Sequence, residues 1–564
     1  MKNRVVTRVW RVILPGWIKG IIGVYCLGGH TQAVLADAPR MEALFPAGGQ
    51  KGSSFEVSVT GKVGAECRLW TNAPGVFFMP TGRKQEWRAT VSDQTKPGLY
   101  LVRAINDEGA SEPRWFSIGS FAEMLENEPN DELGKSQEVT KLPICINGRL
   151  DKGGDVDGYA VRLDAGQTLT AVVEAYALGS GVDMLAHVID EKGIRVLTAS
   201  DGRNLDPSLA FKAPAAGLYT VQLAGFAHPP VADVRFTGGA SVVYRLHLTR
   251  SAVATHLFPP VVSRQGKHDV TLAGPDIPAS QSKYSYSPNE LQVFEPWVQL
   301  TPPAAVLPLQ AVVTSEAPIL EKEPNDSREQ ATSITTVYAS GVIQTKGDVD
   351  RYAVEMKKGQ KLQARIWAKQ LGLPLDAIVS VETPDGKVMT SSDDVSELNR
   401  DPLLTWTATS EGQHQIVVED LMHQGSAQHA YVLEVRPPEP DFQVDLVDVK
   451  ALLLEAGKTV SLKAKIKRLN GFKAPLVVRA SGLPVGVHAP DVTVPDKDGE
   501  VELKIHAAVN APASGQPIQV EVWTGGEGAQ MHVAQGALRG ENQRGTSLLD
   551  TTSQVWVTVK PKRD

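Results

Sequence analysis

The sequence predicts an all-β protein built as a multi-domain string of β-sandwiches, and three observations carry that reading. Its 564 residues are more than one hydrophobic core can serve. Fifty glycines and 37 prolines favour short strands joined by turns over long helices. Apolar and polar residues alternate at many places, as in Phe55-Glu-Val-Ser-Val-Thr60, where Phe55, Val57 and Val59 share one face. That period of two marks a strand with one buried side.

Residues 1–36 read as an export signal: Lys2, Arg4, Arg8, Arg11 and Lys19 are basic, Gly20 to Gly28 is a short apolar run, and Val34-Leu-Ala36 resembles a cleavage site. The run is too short for a permanent membrane span, so the expected location is periplasmic, extracellular or at the cell surface. The net charge of −7 becomes −12 once the leader's five cations, unaccompanied by anions, are removed. No basic patch remains, which argues against a nucleic-acid partner. Of the three cysteines Cys26 leaves with the leader, and Cys67 and Cys145 read either as two buried thiols or as one inter-domain bridge.

Residues 37–118 then form an immunoglobulin-like sandwich, with turns at Thr60-Gly-Lys, Ala73-Pro-Gly, Pro80-Thr-Gly and Lys96-Pro-Gly. Residues 119–249 and 316–436 are two copies of a second module. Residues 250–315 begin with Leu257-Phe-Pro-Pro, echoing Leu44-Phe-Pro-Ala of the opening module, and read as a partial immunoglobulin-like copy that leaves through a Pro-rich linker from Glu295 to Pro318. Residues 437–564 form a last immunoglobulin-like sandwich, in which Val460, Leu462, Ala464 and Ile466 alternate.

The duplication is specific. Glu126-Asn-Glu-Pro-Asn-Asp131 recurs as Glu321-Lys-Glu-Pro-Asn-Asp326, Gly154-Asp-Val-Asp157 as Gly347-Asp-Val-Asp350, and Asp206-Pro207 as Asp401-Pro402. Each Glu-x-Glu-Pro-Asn-Asp run puts four oxygen-bearing side chains within six residues, and each Gly-Asp-Val-Asp turn adds two carboxylates. Calcium takes six to eight such oxygens, and carboxylates crowded together repel unless a cation neutralises them. The alternative is that Asn130 and Asp131 cap a short helix and the turns are solvated hairpins. Neither cluster contains His or Cys, which argues against transition metals there.

These runs, the Gly-Asp-Val-Asp-x-Tyr turns, the Asp-Pro steps and Gly217-Leu-Tyr-Thr-Val221 resemble the bacterial pre-peptidase C-terminal (PPC) domain family. Its members are jelly-roll-like sandwiches beside the catalytic domains of secreted peptidases and in surface proteins, and the collagen-binding modules of clostridial collagenases are relatives. The resemblance covers about 250 of 564 residues and implies Ca2+ at linker-to-sandwich junctions. It implies Glu126, Glu128, Asn130, Asp131 and Asp157 as ligands in the first copy, with Asp155 a plausible addition. In the second it implies Glu321, Glu323, Asn325, Asp326 and Asp350, with Asp348 likewise.

Signatures of catalysis are missing: there is no His-Glu-x-x-His, no Gly-x-Ser-x-Gly and no phosphate-cradling glycine loop. Most tryptophans sit in alternating strands, where packing is their usual work. Trp367, opposite the apolar stripe of Leu362, Ala364, Ile366 and Ala368, is the expected exposed ligand contact. The sequence therefore leads to a non-catalytic binding or scaffolding protein, recognising polysaccharide or protein at the cell surface. A second expectation is an accessory or targeting subunit of a secreted peptidase or glycosidase.

Overall fold

The structure, a computed structural model, describes residues 37–562 apart from 229, 231, 233–234, 264, 266–267, 294–296, 336, 397–398, 526–528 and 543–544. The expected export leader, with Cys26, lies outside the described residues. Among those described there are 49 strands, five three-residue 3-10 turns and no α-helix. The chain is all-β, and its strands pair into facing sheets in five successive sandwiches. No helix among the described residues is long and apolar enough to cross a membrane.

The first sandwich opposes a sheet ordered Arg40–Phe45, Ser54–Lys62, Glu86–Val91, Val76–Pro80 to one ordered Gly48–Gln50, Arg114–Gly119, Gly98–Asn106, Arg68–Thr71. The alternation read from Phe55 to Val59 places Val57 and Val59 in its core, with Phe55 packed against it. The third sandwich repeats this plan at smaller scale. In both, the first strand runs in one sheet, passes a cis Phe-Pro bond (Phe45-Pro46, Phe258-Pro259), and continues in the other sheet parallel to the last strand. The Pro-rich stretch expected to be a linker supplies two of its strands, Trp297–Leu300 and Leu309–Val313. Val298, Leu300, Leu309 and Ala311 are buried in its core, because prolines flank those strands without interrupting them.

The second and fourth sandwiches share one topology. In the second, one sheet runs Ala122–Leu125, Ile144–Arg149, Val243–Thr249, Thr168–Glu174, Asp206–Lys212. The fourth matches it with Ile319–Leu320, Tyr338–Val342, Ala430–Arg436, Lys361–Trp367, Leu403–Thr407. The facing sheets correspond too, beginning with Gln137–Glu138 beside Asp157–Leu163 and Thr332–Ser333 beside Val349–Met356. The duplicated Asp-Pro step has a structural use. Asp206 accepts hydrogen bonds from the backbone N–H groups of Ala175, Tyr176 and Ala177 at 2.7–2.9 Å. Asp401 does the same for Ala368, Lys369 and Gln370 at 2.7–3.1 Å. Each carboxylate thereby satisfies the backbone donors of a tight turn.

The sandwiches pack as one unit. Phe45, Ala47 and Trp115 of the first meet Leu178 and Val243 of the second. Beside them lies a buried polar network in which Arg245 Nη2 pairs with Glu123 Oε1 at 2.7 Å and Ser117 Oγ donates to Glu174 Oε2 at 2.9 Å. The fifth sandwich returns to the first: the rings of Trp70 and Trp556 meet edge to face at 5.0 Å, and Lys560 pairs with Glu108. Cys67 and Cys145 are both buried and both free.

Replacing Asp206 with alanine removes the acceptor of three N–H donors in a partly buried turn, where each donor left unpaired costs about 1–3 kcal/mol. Asp206→Ala should lower the stability of its sandwich by about 3 kcal/mol or more. A urea midpoint unchanged from wild type would contradict this.

Candidate metal centre

The two acidic runs occupy one place in the fold. Each crosses from an edge strand of one sheet to an edge strand of the other within a single repeat. Residues 126–131 lead from Ala122–Leu125 towards Gln137–Glu138, and 321–326 from Ile319–Leu320 towards Thr332–Ser333. The sites therefore sit at a sheet-to-sheet crossover, not in an inter-module linker, because the short strand before each run already belongs to the repeat. Both runs contain a cis Glu-Pro bond, at Glu128-Pro129 and Glu323-Pro324.

In the first repeat Glu126, Glu128 and Asp157 place carboxylate oxygens within 4.8 Å of one another, and Glu128, Asp131 and Asp155 form a second such group. In the second repeat Glu321, Glu323 and Asp350 converge in the same way. Asp326 and Asp348 belong to no such group: Asp326 Oδ1 accepts from Val349 N at 3.3 Å, and Asp348 Oδ2 from Gln344 N at 2.5 Å. Asn130 and Asn325 are each 0% exposed, yet the side-chain oxygen and nitrogen of both lack any hydrogen-bond partner. Further buried and unpartnered oxygens belong to Glu128, Asp131, Asp155 and Asp157, and to Glu321 and Asp350. Protein interiors rarely leave one polar atom unpaired, and here they gather at two equivalent points.

What is paired serves orientation. Glu126 Oε2 accepts from Arg149 N, and Glu321 Oε1 from Val342 N, both at 2.8 Å. Glu128 and Glu323 accept from the backbone N–H of Asn130 and Asn325 at 3.1 and 3.0 Å. Asp157 and Asp350 each take a hydrogen bond from a buried tyrosine, Tyr244 and Tyr431, which in turn meets a second, Tyr159 or Tyr352. Each tyrosine pair spans the sandwich core from one sheet to the other. Gly148 and Gly341 complete the cradle, since a Cβ at either would run into the tyrosine hydroxyl and into Glu126 or Glu321.

Electrostatics follow from this crowding. Burial, and to a smaller degree neighbouring carboxylates, push Asp157 up to about 9 and Glu126 up to about 8. Glu321 and Asp350 lie above the usual carboxylate range, burial being the main cause and the charge of Asp350 adding to it for Glu321. In the first repeat Lys152 Nζ approaches Asp155 Oδ1 at 3.5 Å and Asp131 Oδ2 at 3.7 Å. An oxygen-only, anionic cradle of this kind suits a hard divalent cation.

Trp367 is not a surface contact: it is 2% exposed, donates from Nε1 to Glu434 Oε2 at 3.2 Å, and lies 4.4 Å from the Arg365 guanidinium. Leu362, Ala364 and Ile366 do face the core and Trp367 the opposite side, but that outer face is covered by Phe258, Val261, Trp297 and Val312 of the third sandwich. Of the four tyrosines, Tyr159 and Tyr352 belong to the Gly-Asp-Val-Asp-x-Tyr turns, whereas the part played by Tyr244, Tyr431, Gly148 and Gly341 is not legible in either copy alone. Tyr244-Arg-Leu-His-Leu and Tyr431-Val-Leu-Glu-Val, aligned as the last strand of each repeat, carry the signal that would have found them.

One other cluster pairs a thiol with a base: Cys145 Sγ lies 3.9 Å from His247 Nε2, which also meets Glu174 Oε2 at 2.9 Å. A nucleophile-to-base relay needs the two partners on opposite ring nitrogens. Here both share one nitrogen, and the group belongs to the interface between the first two sandwiches.

No protein-family model matches the chain, and no curated protein matches it. Among solved structures it is similar to the periplasmic g-type lysozyme inhibitor PliG of Aeromonas hydrophila, at 13% identity and TM-score 0.14, over 21% of this chain and 100% of that one. It is also similar to the M60 catalytic domain with its CBM51 domains from Clostridium perfringens ZmpB, at 10% identity and TM-score 0.13, over 69% of this chain and 54% of that one. A third is Salmonella alpha-2-macroglobulin, at 10% identity and TM-score 0.14, over 93% and 47%. The chain thus spans about half the length of the last two. TM-scores this low carry no argument about function.

Because Asp157 and Glu126 sit above their ordinary values near 4, the folded state holds more protons than the unfolded state. Stability should then fall as pH rises from about 4 to about 9. In chelator, the melting temperature should be lower near pH 8.5 than near pH 5.5 by roughly several degrees, and millimolar calcium should abolish that difference. An equal melting temperature at both pH values in chelator would contradict the prediction.

Proposed function

We propose that the protein is an exported, non-catalytic binding or scaffolding protein of the periplasm or cell surface, whose two PPC-like repeats bind calcium. The observation that carries the calcium reading is the convergence of buried, unpartnered oxygens around Asn130 and Asn325. Desolvated carboxylates are costly unless a cation or a proton meets them. An ion held by Glu126, Glu128, Asp157 and Asn130, with Asp131 and Asp155 within reach, meets that cost in the first repeat. Glu321, Glu323, Asp350 and Asn325 serve in the second. The calcium would clamp the crossover to both sheets and so fix the edge of each sandwich. Extracellular calcium modules bind at about 0.1–1 mM, which matches the exported setting that the leader implies. Rigid sandwiches with fixed edges suit presentation of a surface to polysaccharide or protein.

The test is calorimetric titration of calcium into the chelator-stripped protein, alongside thermal unfolding. Both repeats should take up the ion at sub-millimolar to millimolar concentration, with a rise in melting temperature and release of protons at neutral pH. Glu128→Ala combined with Glu323→Ala should remove the heat and the stabilisation together. Absence of both in the wild-type protein at several millimolar calcium would sink the reading.

A further inference from the structure

We propose that His488 and His506 form a second, chemically different metal site, one for a borderline transition-metal ion with Cu2+ preferred over Ni2+ and Zn2+. The site lies on the outer face of the fifth sandwich, far in kind from the all-oxygen clusters. There Val487–His488, Gly499–Ala507 and Thr459–Leu469 are neighbouring antiparallel strands. His488 stands directly opposite His506, and His506 directly opposite Thr459. Val501, Leu503 and Ile505 of the central strand are buried, so the alternation turns His506 outward, and His488 is exposed.

Directly opposed residues on antiparallel strands hold their Cβ atoms about 5 Å apart, and the two imidazole rings here have centroids 4.9 Å apart at 66°. Two rings so placed can direct one nitrogen each at a common point about 2 Å away, the usual metal-to-imidazole distance. The second partner of His506 strengthens the case. Its Nδ1 lies 3.1 Å from Thr459 Oγ1, which fixes the ring and leaves Nε2 as the ligand atom. That is the outer support typical of ligating histidines.

The donor set decides the ion. Neutral imidazole suits copper, nickel and zinc, in the order of their intrinsic affinity, and is a poor ligand for calcium. Lys504 lies two residues along the same outward face, so a cation held by charge alone is disfavoured there. With two protein ligands, water or a donor from another molecule completes the shell.

Titration of Cu2+ into the full chain in millimolar calcium, followed by electron paramagnetic resonance, tests the proposal. The wild-type protein should bind one more Cu2+ than His488→Ala or His506→Ala, with a spectrum showing two equatorial nitrogens at that ion. Thr459→Val, which keeps both ligands, should weaken the site by roughly tenfold. His488 is exposed, so its removal tests the ligand without disturbing the core. Equal stoichiometry and midpoint in wild type and His488→Ala would overturn the proposal, as would displacement of the extra ion by calcium.

Discussion

Burying a carboxylate obliges a protein to supply either a proton or a positive charge, and Asp157 and Asp350 impose that demand at the same point of two repeats. Much of the local structure answers to it. A tyrosine pair reaches across each sandwich to one oxygen of the aspartate, and a backbone N–H steadies the nearby glutamate. A glycine, Gly148 or Gly341, gives up its side chain so that hydroxyl and carboxylate can approach. None of these partners carries a positive charge; Lys152 approaches Asp155 and Asp131 in the first repeat, and the remaining buried oxygens, with both asparagine side chains, have no hydrogen-bond partner. The crossover run and the first strand of each repeat are therefore folded around a concentration of negative charge that hydrogen bonds alone do not balance.

The duplicated unit is larger than the repeat. The first and third sandwiches share the strand switch at Phe-Pro, and each docks the face carrying that phenylalanine on the repeat that follows. The two interfaces differ in chemistry. Glu174 and Trp367 occupy equivalent strand ends, and His247 and Glu434 equivalent positions within the last strand of each repeat. In the first repeat Glu174 meets His247 and Ser117 within an ionic network, and in the second Trp367 packs against apolar side chains while donating to Glu434, which is itself paired with Arg436. One position thus carries a carboxylate in the first repeat and an indole in the second, each hydrogen-bonded to the side chain at the matching place on the last strand.

Fold class was legible because its signals are local: period-two patterning and turn residues state where strands begin and end. The carboxylates of the acidic runs were legible because they are close in sequence and occur twice. What stayed hidden depends on packing between distant segments. Trp367 was placed on the correct strand face, yet whether that face meets solvent or another sandwich is not a property of its own strand. The tyrosine pairs join residues more than 70 positions apart, so only comparison of the two last strands would have exposed them. Asp326 and Asp348 fit the motif as well as Asp131 and Asp155 do, yet only Asp131 and Asp155 gather with a glutamate; Asp155 and Asp348 accept the same local backbone hydrogen bond, so that bond does not decide the difference. The Pro-rich stretch misled for a related reason: proline marks strand ends as readily as linkers.

The return of the fifth sandwich to the first, through Trp70 against Trp556 and Lys560 against Glu108, changes how the assembly bears load. A linear string transmits a pull between its first and last members through every joint and every repeat. Here the same pull also acts across the direct contact between first and last sandwiches. The repeats and their acidic crossovers lie in parallel with that contact, so they share such a pull with the tryptophan pair instead of carrying all of it.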